Sequence, residues 1–215
     1  MRKISFRSYS KLENGEYRCF LAEQRGKAAY CGAAYPTSES RSAMACEKAI
    51  EISCDSFLRR PSLADLAMKT IAGFVNEGVY ILQDPEKQFR CAAAFLYIYK
   101  GAARVSVSGN SIVFHFKDGV LQRSYYEPTS NPVGKSLRRE NAASPEFDVS
   151  SGINAFLLCS GEESLDMETL FAKSLLEAAP KDETWADAVI TDIRNHPCTA
   201  GVIILPERKG IFAKT

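Results

Sequence analysis

The stretch VSVSGNSIVFHFKDGVL at residues Val105–Leu121 decides the fold. Its first part alternates valine with serine up to a Ser-Gly-Asn turn, and an apolar strand pattern follows that turn. Asp118-Gly119 near its end is a dipeptide typical of a two-residue hairpin turn, and residues 120–126 form the returning strand. The stretch therefore predicts antiparallel strands in the middle of the chain.

Strand and helix patterns occupy separate blocks on either side of this stretch. Alternating or continuous apolar runs predict strands at 3–8, 17–23, 27–35, 89–99, 103–107, 111–116, 120–126, 153–160 and 200–205. Apolar residues at helical spacing predict helices at 38–57, 63–78, 166–178 and 184–194, and Ser62 is the expected N-cap of the second helix. The spacing in the last helix predicts an inner face made of Trp185, Ala188, Val189 and Ile193. Segregated blocks favour an α+β fold over a doubly wound parallel sheet.

The composition is that of an ordinary globular protein. The chain has 215 residues, of which 46% are hydrophobic and 25% charged, and this size predicts a single domain at 1–215. Twenty-seven basic residues nearly balance 26 acidic ones, for a net charge of +1, so we expect no nucleic-acid partner. The longest apolar run, 91–99, is too short to span a bilayer. No stretch typical of a secretory signal is visible, so we expect a cytoplasmic protein without a membrane partner.

Seven cysteines and two histidines are the residues most suited to binding a transition metal. No Cys-x-x-Cys spacing occurs, and most of the cysteines lie in apolar stretches. We therefore expect buried free thiols rather than a zinc site. His115 lies on a strand between two phenylalanines, and we expect it to be a hydrogen-bonded structural residue. His196 precedes a proline beyond a helix end, where a solvated turn is expected.

Several kinds of active site are excluded by the local sequence. The segment VGKS at 133–136 lacks the first glycine and the preceding strand of a phosphate-binding P-loop. The segment GNS at 109–111 lacks the second glycine of a nucleophile elbow. The segment CSGEE at 159–163 carries glutamates where a cysteine phosphatase needs an arginine, and these would repel phosphate. Residues 127–145 are polar and rich in serine, asparagine and proline, which predicts a long loop or flap.

Three segments, taken with the element order, resemble the protein phosphatase 2C family of metal-dependent serine/threonine phosphatases. Residues 105–121 are similar to the family's strand, Gly-Asp-Ser turn, strand and Asp-Gly hairpin. AFLLCSG at 155–161 is similar to its Phe-Leu-Leu-Cys-Ser-Asp-Gly, and CTAGVIIL at 198–205 to its closing Asp-Asn-x-Thr-Val-Ile-Val strand. ACEKA at 45–49 resembles the start of its first helix. The resemblance covers residues 17–205.

This resemblance implies a fold and a chemistry. The fold is a four-layer α-β-β-α sandwich, in which two antiparallel sheets are flanked by helix pairs. The active cleft lies at one edge of the sandwich, where aspartates hold two Mn²⁺ or Mg²⁺ ions that generate a hydroxide and clamp the phosphoryl oxygens. Such hard ions need oxygen ligands, chiefly carboxylates.

The sequence departs from the family at the metal ligands. The family's metal-binding aspartates correspond to Ala34, Gly161 and Cys198 here, and the Gly-Asp-Ser aspartate corresponds to Asn110. Without these carboxylates two adjacent dications would lack charge compensation, so we expect no dinuclear metal centre, no cofactor and no catalytic residue. The nearby carboxylates that could partly replace them are Glu16, Glu162 and Glu163.

The resemblance and the lost aspartates together indicate a pseudophosphatase, a catalytically inactive protein of this fold that binds a protein partner. Three basic residues of the polar loop are candidate contacts for an acidic or phosphorylated segment: Lys135, Arg138 and Arg139. The alternative is a weak or atypical metal-dependent phosphatase that hydrolyses phosphoprotein monoesters with Mn²⁺ or Mg²⁺. A third interpretation is another α+β sandwich with a small-molecule pocket.

Overall fold

The architecture is taken from a computed structural model, which describes residues 4–10, 18–37, 43–61, 64–83, 86, 88–127, 131–135, 145–167, 169–170 and 183–207. Its strands are β1 (Ser5–Ser10), β2 (Phe20–Arg25), β3 (Ala28–Pro36), β4 (Cys91–Tyr99), β5 (Ala102–Ser108), β6 (Ser111–Lys117), β7 (Val120–Tyr126), β8 (Glu146–Asp148), β9 (Asn154–Gly161) and β10 (Cys198–Leu205). Its helices are α1 (Met44–Arg59), α2 (Ala64–Tyr80) and α3 (Glu183–Ile193).

The strands form two five-stranded antiparallel sheets. The first sheet has the order β1-β10-β9-β6-β7 and the second has the order β2-β3-β4-β5-β8. Every pairing between neighbouring strands is antiparallel. This confirms the α+β sandwich expected from the sequence.

The stretch Val105–Leu121 links the two sheets. β5 belongs to the second sheet and β6 to the first, and the chain passes between them through Gly109, whose φ is +62°. Asp118 and Gly119 then both adopt positive φ, at +51° and +85°, as a tight primed hairpin turn requires. Both predicted turns are confirmed. The turn at Gly109 carries the chain from the second sheet to the first at one end of the sandwich.

Three apolar layers hold the sandwich together. Between the sheets, alternate residues such as Leu96, Val113 and Phe156 are buried against one another. The outer face of the second sheet packs against α1 and α2, where Phe57 is almost fully buried. The outer face of the first sheet packs against α3 through residues such as Trp185. Because a strand alternates its side chains between two faces, each central strand serves two of these layers.

The structure corrects some details of the predicted elements. Ala188, expected on the inner face of α3, is exposed, and β8 was not predicted from the sequence. Within the predicted flap 127–145, Val133 is buried and pairs with Cys91 as an isolated bridge. Most of the predicted helix 166–178 lies outside the described residues. In the part that the structure describes, no helix is long and apolar enough to cross a membrane.

Candidate functional site

Three of the four positions that would carry the family's aspartates lie together at one end of the sandwich. Gly161, the last residue of β9, pairs directly with Cys198, the first residue of β10. The Gly161 amide also donates a hydrogen bond to the main-chain oxygen of Asn110, at 3.1 Å. We call the residues Asn110, Gly161 and Cys198 the cleft triad. The strand ends and the turn between β5 and β6 hold these three residues against one another.

The side chain of Asn110 fastens the loop that follows β9. Its Nδ2 donates to the main-chain oxygens of Glu162, at 2.6 Å, and Leu165, at 2.8 Å. The Tyr126 hydroxyl donates to its Oδ1 at 3.3 Å. Two of these contacts require a donor, so an ionised carboxylate could not replace the Asn110 amide without facing two carbonyl oxygens. The amide therefore serves a structural role that an aspartate would disrupt.

The space beside Gly161 is filled by apolar side chains from the same loop. A Cβ atom added at Gly161 would lie 2.7 Å from Met167 Cε, 2.9 Å from Leu165 Cδ2 and 3.2 Å from Cys198 Cβ. Met167 is itself only 1% exposed. These distances are shorter than ordinary van der Waals contact, so the ends of the Met167 and Leu165 side chains would have to move aside for any side chain at this position.

Cys198 is fully buried and lies beside a second thiol, Cys159. A hydrogen bond from Cys159 lowers the pKa of the Cys198 thiol, whereas burial raises the pKa of Cys159 well above its usual value. A thiolate is a soft ligand, and Mn²⁺ and Mg²⁺ prefer oxygen. The pair therefore does not replace the missing carboxylates.

Neutral hydroxyl groups connect the two sheets next to the cleft triad. Ser111 Oγ donates to Ser160 Oγ at 2.9 Å, and Ser160 Oγ donates to the main-chain oxygen of Ala33 at 2.9 Å. Ser111 and Ser160 are both fully buried. On the neighbouring strand pair, Ser10 and Thr199 share a further hydroxyl contact of 2.9 Å. This end of the sandwich is thus joined by uncharged hydrogen bonds.

The side chain of the fourth position, Ala34, faces a different layer of the sandwich from that of Cys198. It packs in the cluster between the second sheet and the helices α1 and α2, whereas Cys198 packs in the cluster between the first sheet and α3. The amide of Ala34 donates to the main-chain oxygen of Cys19 at 2.9 Å. Its neighbour Ala33, on the inner face of the same strand, is the residue that contacts Ser160.

The candidate carboxylates and basic residues lie nearer to the surface. Glu162 is half-buried, and Glu163 and Lys135 are exposed. The other candidates, Glu16, Arg138 and Arg139, lie outside the described residues. Among the residues that the structure describes, no group of three or more His, Cys, Asp or Glu side chains is placed to hold a metal ion.

The described part of the cleft does not fit a pair of hard divalent ions. Such ions take six or more oxygen ligands, with carboxylates to offset their charge. The cleft triad offers an amide, a glycine and a thiol, and the space beside it is closed by the side chains of Leu165 and Met167. The lack of aspartates at these positions was visible in the sequence. The packing of Leu165 and Met167 beside Gly161 could not be predicted from it, because that packing depends on how the loop after β9 folds back.

His115 is a structural residue, as the sequence predicted. Its Nε2 lies 2.9 Å from Asn154 Oδ1, and its ring stacks on Phe156 with the centroids 4.6 Å apart. Its Nδ1 is buried and has no hydrogen-bond partner among the described residues. Burial, assisted by the charge of Lys117, lowers the pKa of His115 below its usual value. The ring is therefore a neutral part of the core.

Comparison with known proteins places the fold. No protein-family model matches the chain, and no curated protein does. Solved structures do match over nearly the whole chain. The catalytic domain of the serine/threonine phosphatase PstP, solved with two manganese ions, is 12% identical with a TM-score of 0.66, over 94% of this chain and 98% of that one.

Two further structures give the same result. The phosphatase MsPP from Mycobacterium smegmatis is 12% identical with a TM-score of 0.65, over 95% of this chain and 98% of that one. PppA from Pseudomonas aeruginosa is 18% identical with a TM-score of 0.59, over 93% and 96%. The chain therefore has the fold of the protein phosphatase 2C-type serine/threonine phosphatases, which confirms the fold that the resemblance implied.

Proposed function

We propose that this chain is a pseudophosphatase, a protein of the phosphatase 2C fold that has lost catalysis and acts by binding a protein partner. One observation carries the proposal. The cleft triad is neutral, and the side chains of Leu165 and Met167 pack over Gly161 where the fold's metal ligands would be. In this fold the attacking hydroxide comes from water whose pKa is lowered by bound metal ions, and the cleft triad supplies no carboxylate to hold them.

The loss of charge is matched by gains that stabilise the fold. The Asn110 amide holds the loop after β9 with two hydrogen bonds, and the side chains of Leu165 and Met167 pack beside Gly161. A cleft whose residues are hydrogen-bonded and packed against one another suits a protein that acts as a binding scaffold. PppA, whose structure has the same fold, is a key regulatory component of T6SS in Pseudomonas aeruginosa, and this supports a regulatory role for the present chain.

A turnover assay tests the inactive part of this proposal. The chain is incubated with p-nitrophenyl phosphate and, separately, with a phosphothreonine peptide, each with added Mn²⁺. The PstP catalytic domain is the positive control under the same conditions. We expect no release of p-nitrophenol or phosphate above that of buffer with Mn²⁺. Metal-dependent turnover that rises in proportion to the protein concentration would contradict the proposal.

The alternative is a weak metal-dependent phosphatase that uses the carboxylates beside Gly161. Glu162 and Glu163 follow the glycine directly, and Glu162 is half-buried. If turnover is found, the double variant Glu162→Gln with Glu163→Gln decides whether these residues supply it. Loss of turnover in this variant would support the alternative, and unchanged turnover would assign it to other residues or to a contaminant.

The binding part of the proposal concerns the polar loop. Lys135 is exposed at the end of a described segment, and Arg138 and Arg139 follow it in sequence. Three basic residues within five positions of the sequence would attract an acidic or phosphorylated segment of a partner. Fluorescence anisotropy with a labelled phosphothreonine peptide tests this directly. Binding that is unchanged when all three residues are replaced by alanine would remove these residues from the proposal.

A further inference from the structure

A cavity opens between the two sheets at the edge formed by β1 and β2. Its volume is about 190 Å³, and we call it the edge cavity. It lies away from the cleft triad, since its β10 wall is Ile203, five residues along the strand from Cys198. Six side chains form most of its apolar wall: Ile4, Ala22, Ala29, Leu96, Ile98 and Ile203.

Small side chains create this space. Ala22 and Ala29 present only methyl groups where β2 and β3 face the inner layer. Phe20, the large residue nearby on β2, instead packs on the backbone of Gly201. The contact is so close that a Cβ atom at Gly201 would lie 1.9 Å from Phe20 Cε2. The small side chains thus leave a recess that is partly open to solvent at this edge of the sandwich.

The wall chemistry determines what the edge cavity can hold. Water needs two to four polar partners to be stable in a cavity, and apolar cavities of about 150 Å³ stay dry and bind benzene or xenon. The lining also includes two polar residues, Glu23 and Gln24. Glu23 accepts a hydrogen bond from Arg25 Nε at 2.7 Å and another from Cys54 Sγ at 3.5 Å. Its carboxylate is thus engaged with these groups, and the cavity suits an uncharged occupant.

We propose that the edge cavity is a binding site for a free, uncharged apolar molecule about the size of one aromatic ring or a short branched alkyl chain. The opening beside Phe6, which is 48% exposed, gives such a molecule a way in from solvent. Such a ligand fills the space between the sheets and gains the contacts that the small alanine side chains leave unmade. This site is independent of the cleft triad and of the proposed loss of catalysis.

Methyl-resolved NMR tests the proposal on the whole chain, with toluene and xenon as probes. In the wild-type chain, both probes should shift the methyl signals of Ile4, Ile98 and Ile203 in a saturable way. The methyl signals of Ile190, which packs in the α3 cluster, should not move. Toluene should also raise the melting temperature, because it binds the folded state alone.

Variants that fill or spare the edge cavity complete the test. Ala29→Leu should weaken toluene binding at least tenfold, and Ala22→Leu serves as a second filling variant if the first does not fold. Ala188→Leu, an equal change at an exposed position of α3, should leave binding as in the wild type. The proposal is overturned if the wild type shows no saturable shifts, if the Ile190 signals move equally, or if a folded filling variant binds toluene as tightly as the wild type.

Discussion

Gly161 lies directly opposite Cys198 in the antiparallel pairing of β9 with β10. In the phosphatase 2C-type resemblance, both positions correspond to metal-binding aspartates. Here a thiol and a bare backbone face each other, and the loop after β9 covers the glycine with Leu165 and Met167. The same strand ends that could have presented two carboxylates are instead part of a packed, uncharged junction.

Replacing Gly161 by alanine should destabilise the protein. The new Cβ would lie 2.7 Å from Met167 Cε and 2.9 Å from Leu165 Cδ2, and overpacking of this kind costs about 1–3 kcal/mol in the free energy of unfolding. Urea unfolding measures the change. The matched control is Gly73→Ala in α2, where a Cβ would meet nothing within 4 Å. The control should stabilise the helix by about 0.5–1 kcal/mol, and equal effects of the two changes would contradict the close packing at Gly161.

Replacing Asn110 by aspartate should cost more stability than replacing it by alanine. Asn110→Ala leaves the main-chain oxygens of Glu162 and Leu165 without their donor, at a cost of about 1–3 kcal/mol. Asn110→Asp places a negative charge against the same oxygens, and we expect at least about 1 kcal/mol more at pH 7. Urea unfolding at pH 7 and pH 4.5 distinguishes the two. The aspartate variant should recover part of its stability at the lower pH, where its carboxyl can donate a proton, and an aspartate variant as stable as the wild type would contradict the role of the amide.

His115 should make the protein less stable as the pH falls below 6.5. Its pKa is lowered in the folded state by burial, so the unfolded state takes up the proton first. The stability is complete above the unfolded pKa of about 6.5 and declines as the pH falls from there towards the folded pKa. Between pH 7.5 and 5.5 we expect a loss of up to about 1 kcal/mol from this group. The variant His115→Gln should lack this part of the pH dependence. An unchanged slope in the variant would assign it to other groups.

The seven thiols should be unreactive in the folded protein. All seven are free and buried. Burial and the Glu23 carboxylate raise the pKa of Cys54 to about 12, and only the thiolate form reacts with a disulfide reagent. Ellman's reagent at pH 8 should label no thiol quickly in the native state and seven in denaturant. Rapid labelling of the native protein would mean that one of these residues is accessible.

The sequence was sufficient for the fold, whereas the assignment of the lost metal ligands to Ala34, Gly161 and Cys198 stays a prediction. Asp118-Gly119 and the Ser-Gly-Asn turn act locally, so their backbone conformations followed from a few neighbouring residues. The short strand β8 has no periodicity to detect in three residues, and it forms because β5 offers an edge to pair with. The spacing alone placed Ala188 on the inner face of α3. In the structure, α3 packs on β1 and β10 with Ala188 on its exposed face.

The structure of the cleft could not be read in the same way. Met167 is six residues from Gly161 in sequence, and its contact with the glycine depends on the path of the intervening loop. That path is fixed by Asn110, more than fifty residues away in the chain. Non-local hydrogen bonds of this kind leave no pattern in the sequence, since any asparagine in a turn would look the same.

Calorimetric titration of the metal-free chain with Mn²⁺ tests the central claim most directly. The PstP catalytic domain, whose solved structure contains two manganese ions, is the control. We predict no saturable heat for this chain up to millimolar Mn²⁺, because the cleft triad supplies no carboxylate and its space is filled by Leu165 and Met167. Saturable binding of two ions per chain that is lost in the variant Glu162→Gln with Glu163→Gln would contradict the account and restore a metal-dependent phosphatase.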